Sequence, residues 1–400
     1  MNRHFRISLV TETFLPQVNG VSRTLERLVR HCTDQGDRIQ LLIPRYDENS
    51  VKLPTNVEKR DWWALPLPFY KEVVLPFVTI GTIEQALKNF RPDLVHIATE
   101  GPLGWAALKA AKRLRQPILS SYHTNFPQYL ENYRASFLAP ICWKYLRWFH
   151  NNTLGTFCPS DSTRHLIESK GLKNVGIWSR GVDSHKFSPG KRDYELRKAY
   201  NINPDDIVMT YAGRIANEKN LQMLVDAWKM LNKYQNAHLL FIGDGPLRTK
   251  LEAMQVPRTI FAGYRYGEEL SSMYASSDIF VFPSLSETFG NVVLEAMASG
   301  LPVVAYDVQG PKDIINHQTN GLLVDTIDAE SLSRAMQKLL VNSELRWEMG
   351  RKARAYAESQ TWAKIMDGMR DRYAACASSE KEAQVKLAQI NRSAASLPNR

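Results

Sequence analysis

Two carboxylates, Glu287 and Glu295, stand eight residues apart in Ser284-Leu-Ser-Glu-Thr-Phe-Gly-Asn-Val-Val-Leu-Glu-Ala-Met-Ala-Ser-Gly300. The apolar run just before them has the length of a strand. The small and apolar residues at 292–294 and 296–298 predict a helix over 291–298 that is buried nearly all round. Glu287 then lies in the turn, and Glu295 falls about one and a half turns into the helix. A lone carboxylate there is costly to ionise unless something pairs with it. The partner is either a Lys or Arg of the same domain or the hydroxyls of a ligand. Glu287 suits the helix dipole as an acidic residue ahead of the first turn. Gly290 beside it would let another molecule approach the unpaired backbone N–H groups, an arrangement suited to phosphate.

Cations stand at the equivalent place one unit earlier. Gly213-Arg-Ile-Ala-Asn-Glu-Lys219 follows the strand-like IVMTYA and leads into a helix beginning near Leu221. Arg214 offers a planar fork to phosphate oxygens and Lys219 a mobile point charge, so a diphosphate would engage both. In the first half, His123 follows the apolar PILS, at a strand end, whereas His96 within LVHIA reads as a packed residue. Pro16-Gln-Val-Asn-Gly20 separates the first strand from the first helix, and Gly20 could bring amides towards a phosphate. Gly243-Asp-Gly-Pro246 also follows a strand but lacks the third glycine of a dinucleotide-binding fingerprint.

The elements that must carry these groups alternate in kind. RISLV, IQLLI, LVHIA, ILSSY, TFCPS and VGIWS are separated by helix-length amphipathic segments such as Val21–Thr33 and Gly104–Leu114. The pattern restarts with IVMTYAG, HLLFIG, TIFAG, IFVFPS, PVVAY and GLLV, with helices over Leu221–Leu231 and Glu330–Leu340. Such alternation predicts an α/β chain of two doubly wound, Rossmann-like domains, whose ligands bind at the carboxyl edges of the strands. We expect the first domain over 1–182, a turn-rich linker over 183–192 and the second domain over 193–360. A cleft between the domains would follow. A helix over 361–376 would pack back on the first domain, and the tail 377–400 would be weakly helical or disordered.

Composition narrows the classes. At 400 residues, 44% of them hydrophobic, the chain can fill two cores. Cys32, Cys142, Cys158 and Cys376 are scattered without metal-ligand or disulfide-framework spacing, which suits a reducing compartment. The opening MNRHFRISLV has too few apolar residues for a signal-peptide core, and the longest apolar run, Val73–Ile83, is about half a membrane span. A soluble protein is expected. Most of the net charge of +10 falls in residues 1–185, a basic surface open to nucleic acid, anionic lipid or an anionic small molecule.

The order Pro16-x-x-Asn19-Gly20, His123-Thr124, Gly181-Val182-Asp183, Gly213-Arg214-x4-Lys219, Gly243-Asp-Gly-Pro246 and Glu287-x7-Glu295 resembles the family 4 glycosyltransferases of the GT-B fold, over roughly residues 5–375. The resemblance implies a retaining hexosyltransferase with a nucleotide diphosphate sugar in the second domain and the acceptor held mainly by the first. It implies that Arg214 and Lys219 hold the diphosphate, Glu295 the ribose and Glu287 the transferred sugar. The amides of Phe289, Gly290 and Asn291 would contact sugar or phosphates, His123 would lie beside the reacting sugar, and Gly20 would complete the phosphate contacts. Asn19 stands where many relatives carry glycine, which weakens the Gly20 assignment. Asn220, after the lysine, is a second such departure. The loop Gly263-Tyr-Arg-Tyr-Gly267, with Arg265, would read the base.

No Asp-x-Asp occurs in the chain, so turnover without metal or other cofactor is expected. TETFLPQVNGVSRTL, HIATEGPLG and SYHTNFPQY resemble the subgroup of GDP-mannose-dependent α-mannosyltransferases and sulfoquinovosyldiacylglycerol synthases, and the reading leans to GDP-mannose over a UDP-sugar. Tyr133–His150 interleaves Lys144, Arg147 and His150 with Trp143, Tyr145, Trp148 and Phe149, a mix suited either to a membrane interface or to a core helix with a basic edge. We therefore expect a cytoplasmic enzyme on the inner face of the cell membrane, with a lipid or glycan acceptor and no nucleic-acid partner. Glu100, Asn125 and Tyr129 are candidate acceptor contacts. A sugar-nucleotide epimerase of the same fold would need the donor alone. A nucleic-acid-binding protein would have no use for a carboxylate buried in a helix.

Overall fold

The apolar runs of the sequence become the inner strands of two parallel sheets. In a computed structural model, residues 4–17, 19–46, 52–67, 70–125, 127, 136–285, 287–377, 382, 386–387 and 389–391 are described. The chain divides into one compact unit of Met1–Ser179 with Ala363–Arg400 and a second of Arg180–Trp362.

The first unit holds β1 (Arg6–Val10), β2 (Arg38–Pro44), β3 (Val57–Trp62), the antiparallel hairpin of β4 (Ala64–Leu67) and β5 (Tyr70–Pro76), β6 (Leu94–Ile97), β7 (Ile118–Ser121), β8 (Gly155–Cys158) and β9 (Val175–Ile177). Seven of these form one parallel sheet in the order β3-β2-β1-β6-β7-β8-β9. The second unit holds β10 (Ile207–Ala212), β11 (Ala237–Ile242), β12 (Thr259–Gly263), β13 (Ile279–Phe282), β14 (Val303–Tyr306) and β15 (Gly321–Val324). These pair in parallel in the order β12-β11-β10-β13-β14-β15. Inner strands such as β6, β7 and β13 are buried on both faces, which is why they read as continuous apolar runs. Each sheet has a switch point, between β1 and β6 in the first and between β10 and β13 in the second, where strand order reverses and a crevice opens at the carboxyl ends.

Both doubly wound sheets correspond to the sequence pattern, with two additions. Strand β3, Val-Glu-Lys-Arg-Asp-Trp, is polar and partly exposed because it lies at a sheet edge, so no apolar run announces it. The hairpin β4–β5 likewise falls outside the repeating pattern. The division between the units comes at Ser179/Arg180, ahead of the expected linker. Residues 183–192 lie within the second unit, where Phe187 is buried and Arg354 donates to the carbonyls of Ser184 (2.9 Å) and Phe187 (2.6 Å).

From Ala363 on, the helix Trp362–Cys376 groups with the first unit. Arg370 pairs with the buried Asp37 (2.8 Å), and Tyr373 reaches His96. The tail's described residues Glu382, Lys386–Leu387 and Gln389–Asn391 are helical, and Leu387 is buried beside Gly155 of β8. Among the described residues no helix is long and apolar enough to cross a membrane.

Candidate functional site

At the switch point of the second unit, the loop after β10 carries Arg214 and Lys219, and the loop after β13 carries Glu287. The ammonium of Lys219 is hydrogen-bonded to Oε1 of Glu287, with both side chains about four-fifths buried. Ser284 Oγ donates to the same carboxylate oxygen at 3.3 Å. An ion pair in this half-desolvated setting holds both groups in place, and each keeps bonding capacity for a ligand. Arg214 is exposed, and its carbonyl accepts from the Tyr211 phenol at 3.0 Å. Burial, with the charges of Glu287 and Glu218 nearby, pushes the Tyr211 hydroxyl well above its ordinary range and keeps it a donor. Asn220 adopts a left-handed conformation (φ 54°), which asparagine tolerates better than most residues other than glycine.

The helix Asn291–Ala298 begins after Gly290 (φ 96°), with no side-chain cap and no acidic residue in its first turn. It is not buried all round: Asn291, Val292 and Glu295 form a half-buried stripe, while Val293, Leu294, Ala296, Met297 and Ala298 are buried. Glu295 therefore lies on the open side, where its Oε2 accepts from the Tyr274 hydroxyl at 3.3 Å. Phe289 is buried and anchors the turn in the core.

Gly310, which follows β14, belongs to this site although no motif in the sequence marks it. A Cβ at this position would lie 2.8 Å from Glu287 Cβ and 3.0 Å from its carbonyl oxygen, and its φ is 94°. Only glycine lets this loop press on the turn that carries Glu287. The available signal was its place, Asp-Val-Gln-Gly-Pro, at the end of another sheet strand.

Of the expected donor residues, Gly263 and Arg265 bond neighbours within the protein. Gly263 accepts the Gly243 N–H at 2.9 Å, tying the β12 loop to the β11 loop. Arg265, expected to read a base, turns to its neighbours, bonding the Tyr200 hydroxyl at 3.2 Å and pairing with Glu269 at 3.0 Å. The Tyr200 bond raises its pKa further. After Gly20, two of the amides that could face a phosphate are taken. Asn19 caps the helix Gly20–Asp34, its side chain accepting from the N–H groups of Val21 (3.0 Å) and Ser22 (2.8 Å). Asparagine in place of glycine supplies its own cap.

In the first unit, His123 is buried after β7, its ring 5.5 Å from that of Trp178. Asn125 accepts from the Tyr122 hydroxyl at 3.1 Å. Glu100 is buried and bonds His150 Nε2 at 3.1 Å, so this carboxylate is held internally. His150, grouped from sequence with a basic face, belongs to that buried pair and not to the surface. Tyr129 lies outside the described residues. His96 is fully buried with both ring nitrogens engaged, by Tyr373 and by Ser121, each at 2.7 Å. Burial lowers its pKa to about 3 and keeps it neutral. Glu12, unremarked from sequence, is buried at the end of β1. Desolvation, with the charge of Glu100 adding, pushes its carboxyl up to about 7.

Two parallel-sheet Rossmann-like units, one bearing a cation–carboxylate pair beside a glycine-led helix at its switch point, are the parts of a GT-B glycosyltransferase. The model for "Glycosyltransferase Family 4" matches residues 18–186, and that for "Glycosyl transferases group 1" matches residues 193–356. The chain is 31% identical to a GDP-mannose-dependent alpha-mannosyltransferase of Corynebacterium glutamicum, over 93% of this chain and 89% of that one. It is 33% identical to the sulfoquinovosyl transferase SQD2 of Arabidopsis thaliana, over 89% and 71%. Among solved structures it is similar to a sucrose-phosphate synthase from Thermosynechococcus elongatus, with a TM-score of 0.75 at 20% identity, over 93% of this chain and 98% of that one. The chain belongs to the family 4 glycosyltransferases and is an enzyme of that class.

Proposed function

We propose that the enzyme transfers a hexose, with retention at the anomeric carbon, from a nucleotide diphosphate sugar to a lipid or glycan hydroxyl at an anionic membrane surface, and that the donor is GDP-mannose. The observation that carries the donor half is the Lys219–Glu287 pair beside the uncapped helix led by Gly290. As the sugar leaves, negative charge grows on the diphosphate and positive charge on the ring. Arg214, Lys219 and the helix N-terminus meet the first, and the Glu287 carboxylate the second. Glu295, on the half-buried stripe of that helix, is assigned the ribose hydroxyls. In the transfer the C–O bond to the diphosphate breaks with its electron pair, and the acceptor oxygen bonds the same carbon from the same face. The leaving phosphate takes the acceptor's proton, and no step in this scheme calls on a metal. His123 is assigned to the transferred sugar and Asn125 to the acceptor. The name of the corynebacterial relative supports GDP-mannose.

The membrane half rests on the helix Ala139–His150. Its buried side carries Leu146, Phe149 and His150, while Phe137, Leu138, Ile141 and Trp148 are exposed together with Lys144 and Arg147. The Lys109 ammonium lies 4.9 Å from the Trp148 ring centre. Apolar side chains set among cations fit an anionic interface.

Incubation with GDP-mannose and anionic vesicles should yield a mannosylated lipid with the α configuration. Formation of a new sugar nucleotide without acceptor would favour the epimerase reading, and transfer only from a UDP-sugar would reassign the donor. Co-sedimentation with anionic vesicles should weaken as salt rises; no binding at low salt would remove the membrane assignment.

A further inference from the structure

Hairpin β4–β5 stands outside the parallel sheet of the first unit. Ala64 pairs with Pro76 and Leu65 with Leu75, so successive side chains turn to opposite faces. On the inner face Ala64 is half-buried and Pro76 buried. On the outer face Trp63, Leu65 and Phe77 are 56%, 46% and 60% exposed, with Leu75 half-buried among them. The Trp63 and Phe77 rings lie 4.9 Å apart, and the Phe77 N–H donates to the Trp63 carbonyl at 2.8 Å. An antiparallel ribbon with one face in water alternates apolar and polar residues. At these positions the hairpin is apolar on both faces.

The hairpin is fixed to its surroundings. β5 packs against β2 and the helix Pro102–Arg113, and Trp62 and Val78, flanking its base, pack on the core cluster that holds Leu103, Ala106 and Phe149. Phe149 belongs to the helix Ala139–His150, so one core carries the hairpin and both helices. The two helices bear Lys109, Lys112, Arg113, Lys144 and Arg147 and no Asp or Glu, and all five cations but the half-buried Lys109 are exposed. Exposed Trp105 stands one turn before Lys109, whose ammonium over the Trp148 ring joins the outer sides of the two helices. A second copy docked here about a two-fold axis would set these cations against themselves. An anionic bilayer supplies their counter-charge, and exposed tryptophan suits its headgroup boundary.

We propose that the outer face of β4–β5 is a second membrane contact: Trp63, Leu65 and Phe77 enter the headgroup boundary of an anionic bilayer while the cations of the two helices meet its surface charge. This rests on the membrane assignment of the helix Ala139–His150 and extends it to an element that assignment does not include. The hairpin supplies apolar transfer and the helices supply charge, so the two parts of the contact respond differently to salt.

The full chain is sedimented with vesicles of equal parts phosphatidylglycerol and phosphatidylcholine. The double variant Trp63→Ser/Phe77→Ser, its fold checked by circular dichroism, should bind ~10-fold more weakly than the wild type, because two exposed rings are removed from the transfer. The ratio should stay the same as salt rises, since no charge has changed. Binding equal to that of the wild type overturns the inference and leaves the helix assignment standing, whereas no wild-type binding at low salt overturns both. A wild-type dimer that the two substitutions dissociate would give the face to a second copy and overturn the inference as well. A second measurement does not depend on the double variant folding. A nitrobenzoxadiazole label on Leu65→Cys is placed in a Cys142→Ser background, the other cysteines being buried. Its emission should shift to the blue on these vesicles, and an unshifted emission from vesicle-bound protein overturns the inference.

Discussion

At the end of β10 the chain places Arg214 and Lys219, and across that switch point, after β13, Glu287 and Gly290; at the end of β1 it places Glu12, and across the other switch point, after β6, Glu100. Both helices that follow the second strand of each pair, Asn291–Ala298 and Pro102–Arg113, start from a glycine and lack a local side-chain cap. They differ in what meets their amides. A carboxylate from a distant loop fills the N-terminus of Pro102–Arg113, whereas at the other Glu287 is drawn aside onto Lys219. The two sheets place a helix N-terminus at the same point of their topology, and the side chains around it differ in what they do to its amides.

The largest expected effect comes from breaking the cationic side. Lys219→Ala should lower kcat by ~10²- to 10³-fold, the usual consequence of losing one donor to developing charge. Circular dichroism should show the fold retained, and near-normal turnover would remove the diphosphate assignment.

The carboxylate side responds to pH. Burial raises the folded pKa of Glu12 from 4.5 to about 7, so the native state holds a proton that the unfolded chain has released. That stabilisation is complete below about pH 4.5 and is lost as pH rises through about 7. Glu12→Gln stays neutral throughout. Its stability relative to wild type should rise between pH 5 and pH 8 by up to about 3 kcal/mol, read from urea unfolding. A pH-independent difference would mean that the carboxyl ionises as easily in the fold as outside it.

Gly310→Ala should cost about 1–3 kcal/mol of stability, through its left-handed backbone and its crowding of Glu287. It should also lower kcat/KM by about 10-fold by displacing the turn. A variant that loses stability alone would show that Gly310 supports the fold and not the site. The smallest change is Asn220→Gly, expected within about 0.5 kcal/mol of wild type because both residues accept the left-handed conformation.

Parallel-sheet architecture was legible because inner strands must be apolar on both faces; for the same reason β3, at an edge and paired through its backbone, was not. The helix Asn291–Ala298 was read at its observed bounds, but its open stripe of Asn291, Val292 and Glu295 was not, since valine and alanine around a helix do not reveal which side lacks a neighbour. Lys219 and Glu287 could be named separately, yet their pairing across 68 residues is a product of sheet order. Glu12 escaped notice because its partners, Thr99, Leu103 and Gly104, are distant in sequence and two of them contribute only backbone. Arg265 and Glu100 show the converse: each reads from sequence as a charge at a strand end, and their partners Tyr200, Glu269 and His150 come from sequence neighbours or elements that no spacing links to them.

The central claim, a nucleotide diphosphate sugar held by Lys219 and Glu287 in the second unit, is tested most directly by thermal unfolding with GDP- and UDP-sugars at saturating concentration. GDP-mannose should raise the melting temperature of the wild type by at least about 2 °C and leave that of Lys219→Ala nearly unmoved. An unmoved wild type with every nucleotide sugar, or an equal gain in Lys219→Ala, would contradict it.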